Sequence, residues 1–335
     1  MDMDLVTTLA SLLASRALVD KTNPEPVNLR NGWRTDALMQ DVDAFVVISL
    51  NNPAAYAQVG RLLLEKVRGL PEMTVMAALA IFRGERLLPM NPAREQMLVT
   101  MSEELEREVL ALADGARKER CKSLLSYHKG VFFDTVGRFD LAAQMQKKSE
   151  QEALGFGDQV GAAIAGFLQS FYQLKYGLRE GGQKELESDF LAMELTFDRL
   201  SKNLQGSALQ TQWAEANAPC HMIDALVWID QTHPKWDEWV QSVLTAAPKL
   251  GIAFAPGEQL VRAMAMDRRN DPQSGDALRA IGLGTDANDR RATALLMLVR
   301  RALKEGRLKD AHSLVASMPI EGAQHIVAIA QRLLV

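Results

Sequence analysis

The sequence predicts an all-α protein built from antiparallel helical hairpins, with no significant β-sheet. Apolar residues recur at three- and four-residue steps in roughly fifteen segments, which is the spacing of an amphipathic helix. Short links that contain glycine or proline separate these segments, and no alternating apolar–polar pattern typical of a β-hairpin appears. Consecutive helices with short links are typical of helical repeat arrays.

The first part of the chain, residues 1–112, is predicted to be an N-terminal helical region. A helix is expected at 3–19, and the proline-rich stretch 20–32 then forms a loop. The apolar run at 43–50 fits a buried strand or a helix segment, since periodicity does not separate the two. Pro71 starts a helix that is apolar nearly all round and therefore buried. Asn91-Pro92 opens a longer helix with acidic residues on its solvent side.

The chain is organised around a helical hairpin at residues 121–154. Its turn is placed at Val136-Gly137-Arg138, because Gly137 can take the left-handed conformation that ends a helix. Small residues at Gly130 and Ala142 would let two antiparallel helices approach closely. A mainly apolar stripe marks the first helix and comprises Leu124, Leu125, His128, Val131, Phe132 and Thr135.

This hairpin resembles a tetratricopeptide repeat. In the register of that family, Gly130 is the small residue of the first helix, Gly137 the mid-repeat glycine and Ala142 the packing alanine. The chain departs from the family at three positions where large or apolar residues are expected, which are Ser126, Lys129 and Gln146. A generic helical hairpin is the alternative interpretation. A weaker echo near the C-terminus has Leu298, Gly306 and Ala311 at the corresponding leucine, turn and alanine positions.

The resemblance implies a right-handed superhelix of hairpins over residues 113–335, which is continuous with the N-terminal region if the whole chain is one solenoid. Proteins of this family use the concave surface of the superhelix to hold peptides or partner proteins. In the family register Tyr127 and Asp134 are exposed positions of the first helix and hence candidate partner contacts.

The rest of the chain reads as further helices separated by breaks. Breaks are expected at Gly155 and Gly157, at Gly181-Gly182, and at Pro219 within a helical segment. The stretch RRNDPQSGD, residues 268–276, is predicted to be an exposed loop. The glycines around Ile281-Gly282-Leu283-Gly284 are interpreted as a helix end followed by a loop.

The composition is that of a folded soluble protein. The chain has 335 residues, 47% of them hydrophobic and 24% charged, and a net charge of −4 that argues against global electrostatic binding to nucleic acid. Its two cysteines predict a reduced, cytoplasmic setting, although a disulfide between them is an open alternative. No signal peptide is apparent and no apolar run reaches the roughly 18 residues needed to span a bilayer, so no membrane partner is predicted.

No motif of catalysis, and none for a metal or cofactor, is found in the sequence. Phosphate-binding loops, the dinucleotide fingerprint and the nucleophile elbow are absent. Two short pairs, His221-x-x-Asp224 and Asp230-x-x-His233, would each place two possible ligands on one helical face, but surface or capping roles are the simpler interpretation. Cys121 and Cys220 are interpreted as structural thiols. We therefore predict no enzyme activity and no cofactor.

Arginine pairs give the C-terminal third a basic character in an otherwise acidic chain. Arginine binds phosphate and carboxylate groups bidentately, so these pairs are a candidate patch for nucleic acid or for an acidic protein partner. The alternative is a solvated face with intramolecular ion pairs. The pairs are Arg268-Arg269, Arg290-Arg291 and Arg300-Arg301.

Taken together, the residues and the resemblance predict a non-catalytic scaffold or adaptor that binds a protein or peptide partner, within a larger assembly. A helical subunit that associates with nucleic acid through the arginine pairs is the alternative.

Overall fold

The computed structural model of the chain describes Arg61, Leu64 and residues 71–335, except 87, 89, 182, 208, 251–253 and 286. These residues form thirteen α-helices and one π-helix and contain no β-strand, which confirms the all-α prediction. The predictions for 3–19, 20–32 and 43–50 lie outside the described residues.

The helices follow one another with short links. They are α1 (Pro71–Arg86), α2 (Pro92–Ala111), α3 (Ala116–Thr135), α4 (Phe139–Gly155), α5 (Gln159–Glu180), α6 (Gln183–Leu204), the π-helix (Gln210–Asn217), α7 (Ala218–Ile229), α8 (Trp236–Leu250), α9 (Ala255–Arg268), α10 (Ser274–Gly282), α11 (Asn288–Lys304), α12 (Leu308–Ala316) and α13 (Gln324–Arg332). Among these helices none is long and apolar enough to cross a membrane.

The chain divides into two compact units. The first comprises the described residues up to Val136 together with Gln144–Gly166, and the second comprises Gly137–Ala143 together with Phe167–Val335. The boundary that the sequence suggested, between residues 112 and 113, lies inside the first unit.

In the first unit, α1, α2 and α3 enclose an apolar core. Phe82 on α1 meets Phe132 on α3 edge-on at 5.9 Å, and Leu98 and Leu105 on α2 are buried beside them. The predicted burial of α1 is confirmed. The start of α2 is also as predicted, because the Asn91 side chain accepts a hydrogen bond from the Arg94 backbone N–H at 2.9 Å.

The predicted hairpin is present as α3 and α4, with Gly137 at φ +76° between them. Within the first unit the two helices are joined by polar side chains as well as apolar ones. Ser123 and Ser149 exchange hydrogen bonds with each other's backbone carbonyls, and the Ser126 hydroxyl donates to Glu152 at 2.7 Å. Hydrogen bonds thus replace apolar packing at Ser126, one of the positions that departs from the repeat signature.

In the second unit the π-helix runs directly into α7. Pro219 lies in the first turn of α7, where the missing N–H of proline is tolerated. The helical segment is therefore not interrupted at Pro219 as predicted; it changes from a π-helix to an α-helix just before that residue. Trp228 on α7 donates its indole N–H to Thr293 on α11 at 3.0 Å. The second predicted hairpin is confirmed as α11 and α12, with Gly306 at φ +72°.

The last helix, α13, packs against elements far away in the sequence. The His325 ring lies 5.0 Å from Phe139 and 4.5 Å from Trp228, and Arg332 donates to the Leu178 and Arg179 carbonyls at the end of α5. In a linear repeat array each unit contacts mainly its neighbours. The long-range contacts of α13 differ from that pattern. The structure thus does not confirm the tetratricopeptide-like superhelix, which stays a prediction.

Candidate binding groove

A groove of about 440 Å³ opens in the second unit where α7, α9 and α11 end and α8 begins. We call it the C-terminal groove. Ten of its fifteen lining residues are charged or polar. The cations are Arg268, Arg300, Arg301 and Lys304, the acids are Asp230, Asp267 and Glu305, the neutral polar residues are Gln231, Thr232 and Asn270, and the remaining lining residues are Leu226, Val227, Trp236, Met264 and Met297.

Two of the helices end at this groove in the same unusual way. Asp230 after α7 and Asn270 after α9 both have φ of 56°, and among the described residues they are the non-glycine residues with positive φ. The next residue in each case completes the helix end, because Gln231 N–H reaches the Leu226 carbonyl and Asp271 N–H reaches the Met266 carbonyl. Glycine usually occupies this position. The chain instead keeps two polar side chains at the groove.

Arg300 holds the end of α7. Its guanidinium donates to the backbone carbonyls of Val227 and Trp228, the latter at 3.1 Å, and lies 3.6 Å from Asp230. A cation at the C-terminus of a helix stabilises the unsatisfied carbonyls there. Burial lowers the pKa of Arg300, while Asp230 opposes that shift.

Arg301 ties α11 to α9 and α10. It donates to Asp267 at 2.5 Å and to the Ser274 hydroxyl at 2.7 Å. Ser274 is buried and begins α10, so the prediction of an exposed loop over 268–276 is wrong for its last three residues, 274–276, which are helical. The tertiary contact to Arg301 orders a segment whose polar composition indicated a loop.

Arg268 and Lys304 differ from these two arginines. Both side chains are exposed, and neither has a hydrogen bond or ion pair within the described part of the chain. The Arg268 guanidinium lies over the Trp236 ring, 4.7 Å from its centroid. These two are therefore the cations of the groove that remain available to a ligand.

Three of the six arginines in the predicted basic patch thus line one groove, and the other three do not. Arg291 donates to the Gly282 carbonyl at 3.3 Å, whereas Arg269 is exposed at the end of α9. Arg290, on α11, is half-buried. Sequence doublets do not predict a common surface, because neighbouring residues on a helix point in directions about 100° apart.

The predicted contact residues Tyr127 and Asp134 are not on an open surface. Tyr127 is only 9% exposed, so its expected exposure is wrong, and Asp134 is half-buried. The reason is that α3 is buried on nearly every side between Arg120 and Gly130, which leaves little of that helix facing solvent.

The first unit has a groove of its own, of about 510 Å³. Its lining is largely apolar and includes Ile81, Met97 and Met101, with Glu85 and Arg61 beside them. Arg61 and Glu85 form an ion pair there, which leaves no free charge of that pair for a ligand.

The second unit also contains a set of titratable groups with shifted pKa values. His221 stacks on Phe171 at 4.3 Å, and burial, followed by the nearby charge of Lys175, lowers the pKa of His221 to about 4. Burial, followed by the like charge of Asp289, raises the pKa of Asp224 to about 7. None of these residues lines the C-terminal groove.

The other candidate ligand pair is not brought together. Because α7 ends at Ile229, Asp230 and His233 do not share a helical face, and His233 stacks on Trp239 at 4.8 Å instead. Among the residues that the structure describes, no three His, Cys, Asp or Glu side chains are grouped so as to hold a metal ion.

Both cysteines are free thiols, so no disulfide joins them. Burial raises the pKa of Cys220 well above its ordinary value, which keeps the sulfur protonated and unreactive.

Comparisons of the chain with protein-family models, with curated proteins and with solved structures find no match.

Proposed function

We propose that this protein is a non-catalytic, cytoplasmic helical scaffold that holds a protein or peptide partner in its C-terminal groove. The observation that carries the proposal is the pair of left-handed residues, Asp230 and Asn270, at one groove. Backbone conformations that disfavour side chains cluster at ligand-binding positions. In this protein the two residues that adopt this unfavourable conformation, Asp230 and Asn270, have polar side chains and line the groove.

A binding role agrees better with the site than a catalytic one does. Enzyme sites usually combine a cleft with titratable groups of shifted pKa. In this protein the shifted acid–base groups His221 and Asp224 lie outside the groove, and Arg300, a groove residue with a lowered pKa, donates to the carbonyls at the end of α7. Most charged groups in the groove stabilise helix ends or each other, as Arg300 and Arg301 do.

The two hairpins support a tetratricopeptide-like arrangement as part of the proposal. Each has a left-handed glycine at its turn, Gly137 or Gly306, and a fully buried alanine after it, Ala142 or Ala311. Those are the positions that the resemblance assigns to the turn and to close packing. The family's use of such hairpins to present a binding surface fits a scaffold.

Site-specific photo-cross-linking in the native host tests the proposal. A photoreactive amino acid at Thr232, which is exposed in the groove, is expected to give one dominant protein adduct. The same amino acid at His312, an exposed residue outside the groove, is the matched control and should give none of that adduct.

Two results would count against the proposal. Equal adducts at Thr232 and His312 would show that the groove has no specific partner. A Thr232 adduct that nuclease digests would favour the alternative, a nucleic-acid-associated subunit that uses Arg268, Arg300 and Arg301.

A further inference from the structure

We propose that the occupant of the C-terminal groove is an acidic peptide segment, whose carboxylates are bound by Arg268 and Lys304. This inference rests on the proposed function and names the chemistry of the partner. It rests on a difference among the four cations of the groove. Arg300 and Arg301 bind carbonyl, hydroxyl or carboxylate groups of the protein itself, whereas Arg268 and Lys304 have no such partner in the described part of the chain.

Arg268 is arranged to bind a carboxylate. Its guanidinium carbon lies over the Trp236 ring, 4.7 Å from the ring centroid, and Trp236 itself is only 4% exposed. This cation–π contact with a buried indole restricts the long arginine side chain, while its N–H groups have no hydrogen-bond partner in the described part of the chain. Such a restrained fork binds carboxylate bidentately and loses little conformational entropy in doing so.

Lys304 supplies a second cation at the same groove. It lies at the end of α11, is exposed, and has no acidic partner among the described residues. The neighbouring Glu305 pairs with Arg307 at 2.5 Å, so it does not neutralise Lys304 directly. Two unpaired cations on two different helices favour a ligand with at least two carboxylates.

The remaining charges make the groove selective for peptides over nucleic acid. Asp230 has a side chain 69% exposed and Glu305 one 51% exposed, and each disfavours any anionic group placed next to it, a phosphate or a carboxylate alike. A peptide can place uncharged residues beside these two acids and its carboxylates beside Arg268 and Lys304, whereas a nucleic-acid strand carries a phosphate at every nucleotide. The side-chain amides of Gln231 and Asn270 can hydrogen-bond a peptide backbone, which offers both donors and acceptors. An extended acidic peptide can therefore offer carboxylates to the two cations and backbone groups to the two amide side chains.

The test uses a fluorescent peptide of about ten residues with alternating glutamate and leucine, and matched peptides with glutamine or lysine in place of glutamate. Binding to the 335-residue chain is followed by fluorescence anisotropy. We expect the glutamate peptide to bind, the other two to bind at least about tenfold more weakly, and added salt to weaken binding. Single-stranded DNA of similar length and charge is measured beside them.

The double variant Arg268→Ala/Lys304→Ala is expected to lose about tenfold or more in affinity for the glutamate peptide. The control Arg269→Ala/Lys309→Ala removes the same residue types and the same charge from exposed positions outside the groove, and it should bind normally. Arg268→Lys, which keeps the charge and loses the fork, should fall between the two.

Failure of the glutamate peptide to bind, or an equal loss in both double variants, would overturn the inference. If the Thr232 cross-link to a protein persists in that case, the scaffold proposal stands and only the acidic chemistry is wrong. Tighter binding of DNA than of peptide, lost in Arg268→Ala/Lys304→Ala, would instead assign the groove to nucleic acid.

Discussion

Gly130 on α3 lies directly against Gln146 on α4, so that a Cβ atom at residue 130 would be 2.6 Å from the Gln146 Nε2 atom. Gln146 is fully buried and donates from that atom to the Tyr127 carbonyl at 3.1 Å. A methyl group at residue 130 would therefore have to displace the Gln146 side chain from this hydrogen bond. Close approach of the two helices depends on the missing side chain at Gly130.

We predict that Gly130→Ala lowers the free energy of unfolding by about 1–3 kcal/mol, because the added methyl group displaces Gln146 from its hydrogen bond. Urea denaturation followed by circular dichroism measures the change. Gly155→Ala is the control, since no atom lies within 4 Å of the position of its Cβ, and it should not destabilise the protein.

A second prediction concerns Arg300, which we regard as a structural residue of the groove. Arg300→Ala removes the donors to the Val227 and Trp228 carbonyls, and we expect a loss of about 1–3 kcal/mol in the free energy of unfolding. Lys304→Ala, an exposed neighbour on the same helix, should leave stability within about 0.5 kcal/mol of the original. Equal effects in the two variants would contradict the capping role.

The features that the sequence predicted correctly are local ones. Gly137 and Gly306 lie between two amphipathic segments, and a left-handed glycine there ends a helix whatever surrounds it. Asn91 followed by Pro92 likewise contains both the side-chain cap and the preset φ of a helix start. Short-range chemistry decides these positions, so a sequence pattern is sufficient to place them.

The features that the sequence missed depend on tertiary packing. Tyr127 is buried because α3 has neighbours on nearly all sides, whereas the apolar stripe that the sequence shows on this helix does not include residue 127. The groove joins Arg268 and Lys304 from different helices, which no spacing within the chain encodes. Arg300 and Arg301 are adjacent, yet one caps α7 and the other pairs with Asp267.

Asn270 gives a third prediction, about the cost of a side chain in the left-handed conformation. Asn270→Gly should leave the free energy of unfolding unchanged or raise it by up to about 1 kcal/mol, because glycine adopts φ of 56° without strain. Asn270→Val should lower it by about 1–2 kcal/mol, because a β-branched residue is strained there. Thermal unfolding of the three proteins under identical conditions provides the ranking.

The same pair of variants separates stability from binding. If Asn270 is kept for its side chain, Asn270→Gly should weaken binding of the glutamate peptide although the protein is at least as stable. Unchanged peptide affinity would show that the amide takes no part in recognition.

Three titratable groups of the second unit with shifted pKa values have opposite effects on the pH dependence of stability. His325 is fully buried, and neither of its ring nitrogens has a hydrogen-bond partner in the described structure. Burial, and to a smaller extent the positive charge of Lys175, lowers the pKa of His325 well below 6.5. The pKa of His221 is lowered to about 4, so both histidines cost stability as pH falls below 6.5. Asp224, with its pKa raised from 3.8 to about 7, costs stability as pH rises through that interval.

Between roughly pH 4.5 and 6 the unfolded chain therefore binds two histidine protons that the folded protein excludes, and the folded protein binds one proton on Asp224 that the unfolded chain lacks. The net difference is about one proton, so these groups make stability rise with pH by about 1.4 kcal/mol per pH unit. Other carboxylates add a background that is the same in every variant compared.

We predict that His325→Phe removes most of this rise, because the His221 and Asp224 contributions then nearly cancel, and that Asp224→Asn makes it steeper by a similar amount. His325→Phe should also be tolerated at neutral pH, since the ring packs edge-on against Phe139 and Trp228 and loses no hydrogen bond. Urea unfolding at several pH values in that interval measures the slopes. His312→Gln, at an exposed histidine, is the control, and a slope change in it as large as that of His325→Phe would contradict the assignment.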